Sequence, residues 1–149
     1  MASQTQYRFA RRLAQLEASA TAAMSGRVAQ MRAAGINVIS FSVGEPDFDT
    51  PEPVKQAAIA GIQANHTHYT PTGGTIELRK VMAARASADQ GITYGINQVT
   101  TTTGAKEALY LIFQALCDEG DEAVVPAPYW VSYVEQAKLA GAVPVCPQG

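Results

Sequence analysis

Charge is scarce in this 149-residue chain: 16% of its residues are Asp, Glu, Lys or Arg, and the formal balance is −2. With no basic run, it has no electrostatic footprint for nucleic acid. No apolar stretch is long enough to cross a bilayer and none resembles a signal-peptide core, so no membrane partner is expected. Cysteine is nearly missing. Cys117 and Cys146 are too few for a disulfide framework, and their apolar surroundings predict buried, reduced thiols and a cytoplasmic location. His66 and His68, two apart in a polar loop, have no matching ligand elsewhere, so no metal site is expected. Repeats and low-complexity tracts are absent, and Trp130 is the single tryptophan. What remains is a chain with 47% hydrophobic residues, long enough to bury roughly two thirds of its unfolded surface around one core.

Arg8, Arg11 and Arg12, with Ser and Ala nearby, weakly resemble a transit peptide, but a solvated N-terminal arm is the preferred reading. Met24, Val28 and Met31 keep helical spacing, with Gly35 as the stop. Ile39, Phe41 and Val43 alternate with Ser40 and Ser42 as in a half-buried strand, which Gly44-Glu45-Pro46-Asp47 ends as a turn. Thr50-Pro51 predicts an N-cap followed by proline at the first helical position. Behind it, Val54, Ala57, Ala58, Gly61 and Ile62 share a helical face. Leu78, Val81 and Met82 mark another helix.

From Val99 onward the rhythm is strand, helix, strand, helix, strand. The β-branched run from Val99 to Thr103 meets Gly104-Ala105-Lys106. Ala105, Ala108, Leu109, Ile112, Phe113 and Leu116 then form one apolar stripe. Gly120-Asp121 breaks this helix before a short buried strand at Val124-Val125. Trp130, Tyr133, Val134 and Ala137 line the next helical face, and Ala142 to Cys146 begins a third strand. This alternation predicts an α/β fold with a parallel sheet covered on both faces. Ligands gather at the carboxyl ends of such strands. There a glycine lets the backbone approach an anion, and the first helical N–H groups point at it. Pro128-Tyr129-Trp130, at the end of the next strand, offers a flat face for a ring beside that anion. The two landmarks together predict a seat for a phosphorylated aromatic cofactor. A dinucleotide site fails, because Gly104 has no G-x-G-x-x-G partners. Lys55, Lys80 and Lys138 read as solvated charges on polar helix faces.

Four segments occur in a telling order and spacing: Ser42-Val-Gly-Glu-Pro-Asp-Phe-Asp-Thr-Pro51, His68-Tyr-Thr-Pro-Thr-Gly-Gly74, Thr103-Gly-Ala-Lys-Glu-Ala-Leu109 and Pro128-Tyr-Trp-Val-Ser-Tyr133. Together they resemble the N-terminal part of class I/II pyridoxal-phosphate aminotransferases of fold type I, in particular the bacterial and archaeal aspartate aminotransferases. The resemblance begins near Arg12. It implies a three-layer α-β-α fold with a mainly parallel sheet, of which this chain holds a truncated part. Residues 1–50 would form an N-terminal arm and small-domain segment, and 51–149 the first part of the large domain that binds pyridoxal 5'-phosphate. It also implies that Gly104 and Ala105 hold the cofactor phosphate with Lys106 in the same loop. Trp130 would stack on the pyridine ring and reach a substrate carboxylate through its indole N–H. Gly44 would meet the substrate α-carboxylate, and Tyr69 would reach the cofactor phosphate of a partner subunit, which implies a homodimer.

By the same resemblance, the Schiff-base lysine, the acid facing the pyridinium and the arginine for the α-carboxylate belong downstream of Gly149. No catalytic residue is therefore expected within the chain. Lys106 is a poor substitute for that lysine, because it sits at the phosphate end of the cofactor. Four strands that fill the centre of the family sheet are also expected downstream, so residues 1–149 alone should be marginal, aggregating or molten and inactive. The implied activity is transfer of an amino group between an amino acid and a 2-oxo acid, with aspartate and 2-oxoglutarate as the suggested pair. Glu17 matches a position where some members carry a lysine and accept prephenate, and its reversed charge disfavours an extra carboxylate. The alternative is a non-catalytic remnant, at most a weak phosphate-binding or dimerisation module.

Overall fold

The structure is a computed structural model that describes residues 8–149. After a 3-10 turn at Arg11–Gln15, the elements in chain order are α1 (Ala20–Ala33), α2 (Glu52–Gln63), α3 (Ile76–Gln90), α4 (Ala105–Leu116), β1 (Glu122–Val124), α5 (Val131–Leu139) and β2 (Val143–Val145), with a further 3-10 turn at Ile96–Gln98 between α3 and α4. They divide into two compact units. One joins the residues up to Gly44 with Gly104–Gly149, and the other is Glu45–Thr103.

The first unit is organised by a right-sized crossover. β1 and β2 pair in parallel, with Glu122 opposite Val143, Ala123 opposite Pro144 and Val124 opposite Val145. Parallel neighbours cannot be joined by a hairpin, and α5 supplies the connection. The ladder continues through Val125 N–H to the Val145 carbonyl at 2.8 Å and Ala127 N–H to the Pro147 carbonyl at 2.9 Å. The core between helix and strands is built of small residues: Ala123, Ala142 and Ala137, the last with no exposed surface, with Phe113 and Cys117 packed against them. Alanine at these positions lets α5 lie close on the strand pair. α1 starts where the Ser19 hydroxyl accepts the Ala22 N–H at 3.2 Å and stops at Gly35, whose φ of 78° is left-handed, as its helical spacing predicts.

In the second unit, α3 begins at Thr75, whose hydroxyl accepts the Leu78 N–H at 3.3 Å, and closes on Gly91 in the left-handed region. The Arg79 guanidinium donates to the carbonyls of Val99 (2.8 Å) and Ile96, fastening the segment after α3 back onto that helix.

Several local expectations are corrected. Ile39, Phe41 and Val43 form no strand; Ile39 and Phe41 are 82% and 96% exposed, and Ser40 and Ser42 hydrogen-bond to each other instead. Residues 99–103 are not a strand either. The Val99 carbonyl is taken by Arg79, and the Thr101 N–H by the Gly73 carbonyl at 3.0 Å. Both segments have β-type sequences without a neighbouring strand, and a strand exists only through its ladder. Pro51, not Thr50, stands at the N-cap of α2, so that helix starts one residue late, and its Val54 and Ile62 lie exposed. Val124 is exposed on β1, and Val125, buried, lies just beyond it. Leu116 and Ile112, on the α4 stripe, are 76% and 50% exposed, whereas Ala108, Leu109 and Phe113 are half-buried. The two thiols are half-buried rather than buried.

Candidate functional site

The first landmark is formed by backbone. Gly104 stands at the N-cap of α4 with φ 80° and ψ 170°, a region that essentially only glycine occupies. Among the described residues, a Cβ placed there would meet no atom within 4 Å. α4 runs for 12 residues from that point. The positive end of its dipole, with the first-turn N–H groups, is therefore directed at whatever approaches Gly104.

The second landmark reaches the first. Trp130 stands at the N-cap of α5, 44% exposed, and the Lys106 ammonium lies 5.6 Å from the centroid of its ring. Of the residues that sequence reasoning singled out, Gly104, Ala105, Lys106 and Trp130 thus share one neighbourhood. Gly44 lies in an exposed stretch outside any helix or strand, with no atom of the described residues within 4 Å of where a Cβ would be. Tyr69 is fully exposed in a loop of the other unit. Beside Trp130, the Tyr129 hydroxyl is pushed above its ordinary range, first by hydrogen bonding with Cys146 and then by electrostatic interaction with the same residue.

A cavity of about 350 Å³ opens beside Lys106. The arm residues Leu16 to Ala20 line it, together with Lys106, Ser132, Glu135 and Gln136. Gln136 donates from its side-chain amide to the Lys106 carbonyl at 2.9 Å, while its oxygen is buried and has no hydrogen-bond partner among the described residues. Lys138, expected as a solvated charge, is paired: its ammonium is 2.8 Å from Glu135 Oε1, and the two side chains are only 23% and 26% exposed. Burial works to raise the Glu135 carboxyl, but the Lys138 ammonium and a backbone N–H from Glu17 outweigh it and hold the group below its usual range. The same carboxylate raises Lys138. Glu135 was not evident as a site residue from sequence. Its spacing of three from Lys138 is the one signal that could have pointed to it.

Among the described residues, no group of three His, Cys, Asp or Glu could hold a metal ion, and no helix is long and apolar enough to cross a membrane. A parallel strand pair with its crossover helix, and a glycine-started helix beside a tryptophan, define an α/β protein with an anion-ready turn. The sequence model of the family "Aminotransferase class I and II" matches residues 36–147, and the chain belongs to that family.

Aspartate aminotransferases from Geobacillus stearothermophilus and Bacillus subtilis (strain 168) are 47% and 45% identical to it over 142 residues, 95% of this chain. The aspartate aminotransferase structure from Rhizobium meliloti superposes with a TM-score of 0.90 at 37% identity, covering 97% of this chain and 36% of that one. The Thermus thermophilus aspartate aminotransferase with maleate gives 0.91 at 38% identity, covering 96% and 37%. The chain therefore represents an N-terminal portion of the family fold and spans about 36% of the length of the relatives it matches.

Proposed function

We propose that these residues form the docking platform for pyridoxal 5'-phosphate in an aspartate-transaminase-like enzyme that moves an amino group between an amino acid and a 2-oxo acid. The observation that carries this reading is the junction of Gly104, in a conformation that essentially only glycine adopts, with Lys106 and Trp130 next to it. The residues fit the group. A dianionic phosphate suits the N–H groups of Ala105 and Lys106 at the start of α4 together with the Lys106 ammonium, and the ring suits the exposed indole of Trp130. When bound, pyridoxal phosphate supplies an electron-withdrawing ring on which an amino acid can lose its α-proton.

The chain's own residues then orient and bind. Gly104 and Ala105 fix the phosphate, and Lys106 neutralises it. Trp130 sets the plane of the ring and directs its indole N–H at a substrate carboxylate. Gly44 offers its N–H to the α-carboxylate, and Tyr69 serves the phosphate site of a second copy in a homodimer. Within the family reading, residues 1–50 belong to the arm and small domain, and 51–149 to the first part of the large domain. Aspartate and 2-oxoglutarate are the proposed substrates, on the support of the relatives' names. We place the protein in the cytoplasm.

None of the lysines in residues 1–149 is assigned to hold the cofactor covalently. The test is pyridoxal phosphate loading of residues 1–149 beside the Geobacillus stearothermophilus relative, followed by borohydride and peptide mapping. The expected result is a reduced adduct at one lysine of the relative and none at a single site in 1–149. A stoichiometric adduct at one lysine of 1–149 overturns the assignment.

A further inference from the structure

The N-terminal arm is tied to α5 by groups outside the platform. The Gln15 side-chain amide donates to the Lys138 carbonyl at 2.7 Å, and the Glu17 N–H donates to Glu135 Oε2 at 2.9 Å. The other carboxylate oxygen, Oε1, receives the Lys138 ammonium at 2.8 Å. One carboxylate is thus shared between its own helix and a segment 118 residues earlier. Just past this tie, Leu16 to Ala20 line the cavity that Lys106 also lines.

We propose that Glu135 is a positioning residue, a latch whose ionised carboxylate holds the Leu16–Ala20 segment as a wall of the Lys106 cavity. The latch rests on the reading of Lys106 as part of the cofactor seat, because the tied segment fixes one side of the cavity that this lysine also lines. A charged acceptor is what gives the tie its strength: hydrogen bonds to ionised groups are roughly twice as strong as neutral ones. The charged and titratable groups around the carboxylate are Lys138 on α5, Glu17 on the arm, Lys106 on α4 and Tyr129 before α5, the last acting through Lys138. Lys138 offsets the like charge of Glu17. Because Lys138 and the Glu17 N–H hold the Glu135 carboxyl below its ordinary value of 4.5, the latch is closed at neutral pH and opens as pH falls below that value.

The test is amide hydrogen exchange at Glu17, relative to its intrinsic rate, in the protein at its full natural length. The Val125 amide, bonded to the Val145 carbonyl, serves as the control for the core. Glu135→Ala is expected to lower Glu17 protection about tenfold, the scale of losing a charge-assisted hydrogen bond, with Val125 unchanged. Glu135→Gln keeps an acceptor, so it retains part of the protection but loses the acid dependence. Equal Glu17 exchange in wild type and Glu135→Ala overturns the latch, as does an acid dependence that survives in Glu135→Gln. Should a variant fail to fold, the unmutated protein decides: Glu17 must open in acid while Val125 holds, and a parallel loss of both contradicts the latch. Pyridoxal phosphate takes no part in this readout, so failure of the cofactor reading leaves its outcome unchanged.

Discussion

The Lys106 ammonium sits over the Trp130 ring, 5.6 Å from its centroid. A residue of the first turn of α4 therefore lies against the one tryptophan of the chain. Such a contact contributes about 0.5–1 kcal/mol at an exposed site. It also means that a ring stacking on Trp130 and a phosphate at Gly104 both draw on the same lysine. Lys106→Met is expected to lower stability by no more than about 1 kcal/mol in a denaturant titration. It should weaken inorganic phosphate binding about fivefold, the equivalent of ~1 kcal/mol for one charge near the surface. Trp130→Phe should leave phosphate affinity almost untouched. Equal losses in the two variants would show that the phosphate is not held at the α4 end.

Gly104 carries a separate prediction. Its φ of 80° and ψ of 170° suit glycine, and a methyl group there would find space but not a permitted backbone. Gly104→Ala should therefore cost about 1–3 kcal/mol through strain rather than collision. The protein relieves that strain by turning the peptide at the start of α4, so phosphate affinity should fall with stability. A stable Gly104→Ala protein with unchanged phosphate binding would remove the glycine from the site.

The Glu135–Lys138 pair predicts a stability profile with two limbs. The Glu135 carboxyl is held below 4.5, so its contribution is present above that value and is lost as pH falls through the folded value. Lys138 is raised above 10.5, so its contribution is present below 10.5 and is lost as pH rises through the folded value. The pair is partly sheltered and short, and it contributes up to about 1 kcal/mol. Urea midpoints of Glu135→Gln should fall short of wild type between the two limbs and converge on it as pH drops below 4.5 through the folded value. A constant deficit across the acid range would contradict the assignment.

How far the sequence could be read depends on whether a feature is local. α1, α3 and α4 were legible because their signals lie within a few residues: Met24, Val28 and Met31 with the stop at Gly35, the spacing of Leu78, Val81 and Met82, and the Ala105–Leu116 stripe. β2 was legible for the same reason. The segments at Ile39–Val43 and 99–103 have equally good strand sequences, yet a strand needs a neighbour, and pairing is not encoded in the segment itself. The contact between Lys106 and Trp130 was approachable from sequence, since both residues stand at helix starts after strand-like runs. The Glu135 latch was not legible, because its second partner is 118 residues away and is a backbone amide that any residue carries. Lys138 looked solvated because its helical face is polar, and only the fold sets it against the arm.

The most direct test of the platform uses the emission of Trp130, isolated by difference from Trp130→Phe. The apoprotein at its full natural length is titrated with pyridoxine 5'-phosphate, which keeps the ring and the phosphate but forms no imine, with inorganic phosphate as competitor. The account predicts saturable quenching of that emission, reversed by phosphate and weakened by Lys106→Met. Quenching that phosphate does not relieve, or no quenching at all, would contradict a cofactor seat built from Gly104, Lys106 and Trp130.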